Sequence, residues 1–153
     1  MIQVHKQLAS VLGVGFVKGG GTVAAIIYCI AWYWLPVVYN MYWQQAAITL
    51  AIIIAGTWSA QQVEKIWGKD SSKVVIDEVA GMAIALLYAP HSIFNVVTGL
   101  ILFRLFDILK PLGIKRMEKF PGGWGVMADD IVSGVYAFIL LRLFIWGQAY
   151  FLS

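Results

Sequence analysis

Long uncharged runs alternate along the chain with short polar segments that carry nearly all the charge. Thr22 to Tyr39 is apolar and uncharged, close to the roughly 20 residues a helix needs to cross a bilayer, and Pro36 near its end marks the exit. Gln45 to Ala60 is a second such run, followed by a polar loop, Gln61 to Lys73. Val79 to Ala89 is apolar but too short to cross as a straight helix. Ala89-Pro90-His91-Ser92 reads as a turn, Ile93 to Phe106 as the third long run, and Ile131 to Leu152 as the fourth. The pattern predicts an all-α polytopic membrane protein with about four spanning helices. The short run and its successor read as a re-entrant helical hairpin, or as two spans extended at their ends with Val74 to Glu78 partly inside; periodicity does not separate the two. A loop at membrane depth is tolerated only where it is buried in protein or lines a wet cavity.

Composition agrees. Hydrophobic residues make up 61% and charged residues 12%, against about 25% charged in soluble domains. A surface so poor in charge would not keep a monomer in water, and 153 residues suit a single membrane-embedded domain spanning 1–153. Seven Trp and seven Tyr fit an aromatic belt at the membrane interface. The net charge of +3 would hint at nucleic acid in a soluble protein. Here no basic run interleaved with aromatics forms a nucleic-acid groove. Instead Lys65, Lys69 and Lys73 form one basic loop, and Arg104, Lys110, Lys115, Arg116 and Lys119 another. The positive-inside rule puts both, with the N-terminus, in the cytoplasm, and uncharged Asn40 to Gln44 outside. Arg142, inside the last run, falls outside this scheme; it pairs with a carboxylate or snorkels. A lone cysteine, Cys29, makes no internal disulfide and no Cys-rich zinc site. Polar Met1 to Ser10 lacks a signal-peptide core, and the first apolar run lacks a small-residue cleavage site, so that run is expected to be retained.

The chemistry lies beside these runs. Five of the eight carboxylates fall in three motifs: Asp77-Glu78, Asp107 and Asp129-Asp130. Ionisable groups at a membrane boundary are costly and therefore functional candidates. In Asp77-Glu78-Val79-Ala80-Gly81 the acids could simply cap a helix, yet Gly81 one turn on lets another backbone or a head group come close. In Arg104-Leu-Phe-Asp107-Ile-Leu-Lys110-Pro111, spacing of three places Arg104, Asp107 and Lys110 near one helical face, ended by Pro111. They form a salt-bridge ladder, or Asp107 meets a cation while Arg104 and Lys110 hold phosphate oxygens. Gly122-Gly123-Trp124-Gly125 leads into Asp129-Asp130, whose mutual repulsion asks for a cation unless both merely cap the last span. Gly19-Gly20-Gly21-Thr22 precedes the first span; Thr22 could cap it and bare N–H groups could hold an anion, although a flexible linker explains a lone glycine run. Together, hard oxygen ligands suit Mg²⁺, which completes its shell with water and substrate phosphate, while Arg and Lys offset the remaining phosphate charge.

The stretches Val75-Ile-Asp-Glu-Val-Ala-Gly-Met82, Phe103-Arg-Leu-Phe-Asp-Ile-Leu-Lys-Pro111 and Gly122-Gly-Trp-Gly-Val-Met-Ala-Asp-Asp-Ile-Val-Ser-Gly134 resemble the phosphatidylglycerophosphatase A family, in order and over nearly the whole chain. The resemblance implies a Mg²⁺-dependent enzyme of the bacterial cytoplasmic membrane, multi-pass, with its active site facing the cytoplasm. Such an enzyme hydrolyses phosphatidylglycerophosphate to phosphatidylglycerol and inorganic phosphate. It implies Asp77, Glu78, Asp107, Asp129 and Asp130 as catalytic and metal-holding residues, with Arg104, Lys110 and Thr22 toward the phosphate. Asp70 lies where the family often has a further acid. The chain departs from the family at Gly20-Gly21-Thr22, where Pro-Gly-Thr is common, and at Lys110-Pro111-Leu112-Gly113, where Lys-Pro-Trp-Pro is common. Both touch loops that shape a head-group pocket and bear on the lipid substrate more than on the chemistry. The nucleophile is a water at the metal or an aspartate acting through an aspartyl-phosphate, with water preferred.

Three rivals stand beside this reading: a phosphatase for another lipid monophosphate, a transferase using a lipid nucleotide, and a small transporter or structural subunit. The transferase pattern, Asp-Gly then Ala-Arg and two spaced Asp, is absent. A transporter would place polar groups mid-span across repeats, whereas these charges sit at segment ends. The oligomeric state stays open.

Overall fold

A computed structural model describes residues 1–35, 42–69, 71–111 and 113–152, apart from the side chains of Glu118, Phe151 and Leu152. Pro36, Asn40, Asp70 and Leu112, which figure in the reading above, lie outside the described residues. Among the described residues the fold is all-helical: α1 (Ile2–Ala9), α2 (Gly20–Trp34), α3 (Tyr42–Trp67), α4 (Ile76–Ala85), α5 (Ile93–Leu109) and α6 (Gly123–Leu152). Short 3₁₀ turns at Val14–Phe16 and Ile114–Lys119 join them.

Two helices, α3 and α6, are long and apolar enough to cross a membrane; four spans are not established. At 15 residues, α2 is roughly 22 Å long at 1.5 Å per residue, short of a hydrocarbon core of about 30 Å. Both long helices exceed their expected bounds. Helix α3 runs through the polar Gln61 to Trp67 because Ala60 and Val63 are buried there against Ala9 and Val74. Helix α6 starts at Gly123, so the glycine-rich run is its first turn and not a loop. A Cβ on Gly123 would run into the Thr57 carbonyl of α3; close helix contact outweighs the poor helix propensity of glycine.

The short helix α4 and its successor α5 are joined by a turn whose backbone is satisfied from other elements. Arg142 Nη2 donates to the Leu87 carbonyl at 2.7 Å, the Tyr88 amide donates to Gln45 Oε1 at 2.7 Å, and Asn95 Nδ2 donates to the Pro90 carbonyl at 2.9 Å. Arg142 thus serves the turn between the helices and pairs with no carboxylate, which accounts for a cation in the middle of α6. Ser92 caps α5 by accepting from the Phe94 amide.

The core holds α4 against α6, α5 and α2. Helix α4 meets α6 backbone to backbone. A Cβ on Gly134 would strike the Gly81 carbonyl, and one on Gly81 would strike the Phe103 ring and, at 2.7 Å, the Asp130 carbonyl. Overpacking of this kind costs about 1–3 kcal/mol. Gly81→Ala is therefore expected to lower stability in detergent by that amount, read as a fall in the thermal midpoint, whereas Gly147→Ala in the same bundle, with nothing within 4 Å, is expected to lower it not at all. Equal effects of the two substitutions would contradict the packing described.

Candidate metal and phosphate site

The crossing of α4 and α6 sets the site. Asp77 precedes Gly81 by four residues and Asp130 precedes Gly134 by four, so each acid stands one turn from the crossing on the face that makes it. Phe103, packed on Gly81, stands one turn before Asp107 in α5. Three helices thereby bring their carboxylates to one place. Oxygens of Asp77, Glu78 and Asp130 lie within 4.8 Å of one another, as do those of Asp107, Asp129 and Asp130. All five acids line one cavity of about 320 Å³ together with Lys110, Ser71 and Ser72.

Capping does not explain these acids. The N-cap of α4 is Val75 and no side chain caps it. Asp129 and Asp130 lie two turns inside α6 and are 6% and 3% exposed. Asp107 pairs with Arg104 one turn earlier, as the spacing of three predicts. Lys110 departs from the shared face: it is the left-handed C-cap of α5, with φ 45°, and its Nζ reaches Asp129 Oδ2 across to α6 at 2.5 Å. Pro111 forces that exit from the helix.

The remaining carboxylates are short of partners. Asp77 Oδ1, Glu78 Oε2 and Asp130 Oδ2 are buried with no hydrogen-bond donor in reach, and the Arg104 Nε–H is buried with no acceptor. Burial, followed by the neighbouring Glu78 carboxylate, pushes Asp77 well above the ordinary carboxylate range. Burial also pushes Glu78 up, against the opposing hydrogen bond from Asp77. Buried oxygens left without donors are rare and ask for an explanation. Mg²⁺ fits this donor set, which is all hard oxygen in a cavity open enough for water and phosphate.

Thr22 is placed differently from the expectation. Gly19, with φ 76°, is the N-cap of α2 and no side chain caps the helix. Thr22 lies inside the first turn, exposed. The glycine run itself matters through contact and is no flexible linker: a Cβ on Gly21 would collide with Glu78 Oε1. It lines a second cavity of about 590 Å³, with Lys18 and Lys73, that shares Ser72 and Glu78 with the first. Ser71, Ser72 and Lys18 carry no motif signal in the sequence, since single serines and lysines in loops are common; only their placement beside the acids makes them site residues.

With divalent ions chelated, the crowded acids give a pH signature. Asp77 and Glu78 hold protons in the folded state at pH values where the unfolded chain, with ordinary values of 3.8 and 4.5, has lost them. Stability from these groups is full below those values and is lost as pH rises through the raised folded-state values. The thermal midpoint in EDTA is expected to fall as pH rises above the ordinary carboxylate values of 3.8 and 4.5, and saturating Mg²⁺ to flatten that fall. A midpoint in EDTA that climbs with pH above those values would contradict this electrostatic picture.

A family model described as Phosphatidylglycerophosphatase A matches residues 7–145. A Bacteroides thetaiotaomicron protein, provisionally named a phosphatidylinositol-3-phosphatase, is 41% identical over 150 residues, covering 91% of this chain and 94% of the relative. A phosphatidylglycerophosphatase A of Escherichia coli K12 is 33% identical over 136 residues, covering 81% of this chain and 76% of the relative. One from Haemophilus influenzae is 38% identical over 74 residues, covering 47% of this chain and 45% of the relative. No solved structure matches the chain.

Proposed function

This chain belongs to the phosphatidylglycerophosphatase A family of phosphatases, and from that membership we propose that it is a Mg²⁺-dependent lipid phosphomonoesterase converting phosphatidylglycerophosphate to phosphatidylglycerol and inorganic phosphate. The observation that carries the proposal is the convergence of five carboxylates beside Arg104 and Lys110, with oxygens of three acids left buried and unpartnered. Asp77, Glu78 and Asp130 are the groups to hold the ion, with Asp107 and Asp129 next to them. Bound there, Mg²⁺ would neutralise developing phosphate charge and lower the pKa of water in its shell.

The chain's own residues supply the rest. Lys110 and Arg104, now on Asp129 and Asp107, are within a side-chain swing of the cavity and turn to the substrate's phosphate oxygens, Arg104 through its planar fork and Lys110 as a point charge. A carboxylate of the cluster accepts a proton from the attacking water, and a proton returns to the leaving glycerol oxygen. The bond from water oxygen to phosphorus forms as the ester P–O bond breaks, so phosphate leaves with the water's oxygen. Thr22 lines neither cavity and has no part in this scheme. A hydroxylamine-labile phosphoenzyme trapped during a single turnover, or retention of configuration at phosphorus, would replace water by an aspartate nucleophile.

We place the protein in the bacterial inner membrane as a multi-pass chain with the site toward the cytoplasm. Supporting this, Lys65 ends α3 and Lys110, Lys115, Arg116 and Lys119 follow α5, all at the end that carries the acids, and basic segments stay on the cytoplasmic side. A second substrate, phosphatidylinositol 3-phosphate, is favoured by the name of the Bacteroides relative.

The purified chain is expected to release phosphate from phosphatidylglycerophosphate in Mg²⁺ and to stop in EDTA. Asp130→Asn and Asp107→Asn are each expected to reduce kcat at least ~100-fold, the scale of losing a group that acts on the reacting atoms. Faster release from phosphatidylinositol 3-phosphate would move the substrate to that lipid. Activity indifferent to chelator and to both substitutions would remove the site.

A further inference from the structure

The two acid triads share one residue, Asp130. It is 3% exposed, and its Oδ2 meets no donor. Asp77 and Glu78 share one triad with it, and Asp107 and Asp129 share the other. Arg104 pairs with Asp107 and Lys110 with Asp129, both in the second triad.

Charge sharpens the point. Ionised, five carboxylates against one arginine and one lysine leave three negative charges uncompensated. A phosphate monoester adds about two more. A single divalent ion would then leave the loaded site at about −3, in a pocket where burial magnifies repulsion. A second brings it to about −1. We infer that the site holds two divalent cations at once, bridged by Asp130, with Asp77 and Glu78 completing one ligand set and Asp107 and Asp129 the other. Arg104 and Lys110, which pair with acids of the second set, would turn to the phosphate as that set takes its cation. This rests on the phosphatase reading and deepens it. Two ions clamping one phosphoryl group are a recurrent solution for phosphate-ester hydrolysis.

Mn²⁺ with inorganic phosphate is the probe, using the full chain in detergent. Bound Mn²⁺ per chain is counted by equilibrium dialysis, and the electron paramagnetic resonance spectrum is recorded on the same samples. The expected result is two Mn²⁺ per chain with an exchange-coupled spectrum. The pair Asp77→Asn and Glu78→Gln, and separately the pair Asp107→Asn and Asp129→Asn, are expected to leave one ion and an uncoupled six-line spectrum. Asp130→Asn is expected to weaken both ions at least ~10-fold, as loss of a shared ligand should. A saturated wild-type chain with one Mn²⁺ and an uncoupled spectrum overturns the inference, and this count needs no variant to fold. One ion with intact phosphate release would leave the phosphatase reading standing. Two coupled ions with no release from any lipid monophosphate would uphold the paired site and overturn that reading.

Discussion

The backbone contact between α4 and α6 at Gly81 and Gly134 is the constraint from which the site follows. Two helices meet that closely only where neither carries a side chain at the crossing, and in a membrane such small-residue contacts are a main source of helix association. Here the contact also fixes function, because each glycine stands one turn beyond an acid. Phe103 closes on Gly81 from the third side and carries Asp107 into the same group. A shift of one residue at the crossing would rotate Asp77 or Asp130 by about 100° away from the others.

What the crossing brings together is costly. Buried carboxylates repel and have lost their water, and Arg104 and Lys110 form ion pairs with two of the five. A protein arranged for stability alone would have placed apolar residues here. On the proposed reading a divalent ion bound there would relieve the strain and couple binding to folding. The far end of the same helices is treated in the opposite way. There Arg142, Gln45 and Asn95 meet polar groups of the turn after α4 from within the protein.

Much of this was legible in the residues. The apolar runs marked α3, α5 and α6, and the three acidic motifs marked the site, since charges beside apolar segments are too expensive to be incidental. The Asp-x-x-x-Gly spacing, present at both Asp77 and Asp130, could also have announced the crossing. Other features depend on partners distant in sequence. Nothing local says that Gly123 begins a helix, because the reason is the Thr57 carbonyl on α3. Lys110 was read onto the α5 face by spacing, but Pro111 ends the helix and sends its ammonium to α6. Gly21 looked like linker and is held against Glu78, whereas Thr22, its more chemically suggestive neighbour, faces outward. Arg142 had no reading until the Leu87 carbonyl was in view. Two spans rest on length and hydropathy, and the shorter α2 and α5 leave the count of crossings to the proposed topology.

The central claim is that acids from α4, α5 and α6 converge to hold divalent metal. Anomalous diffraction from crystals of the full chain grown with Mn²⁺ tests it directly. The account predicts strong anomalous density bounded by Asp77, Glu78 and Asp130, contiguous with Asp107 and Asp129. Well-ordered crystals with the five carboxylates resolved and Mn²⁺ density absent from among them, or lying only elsewhere on the chain, would contradict it.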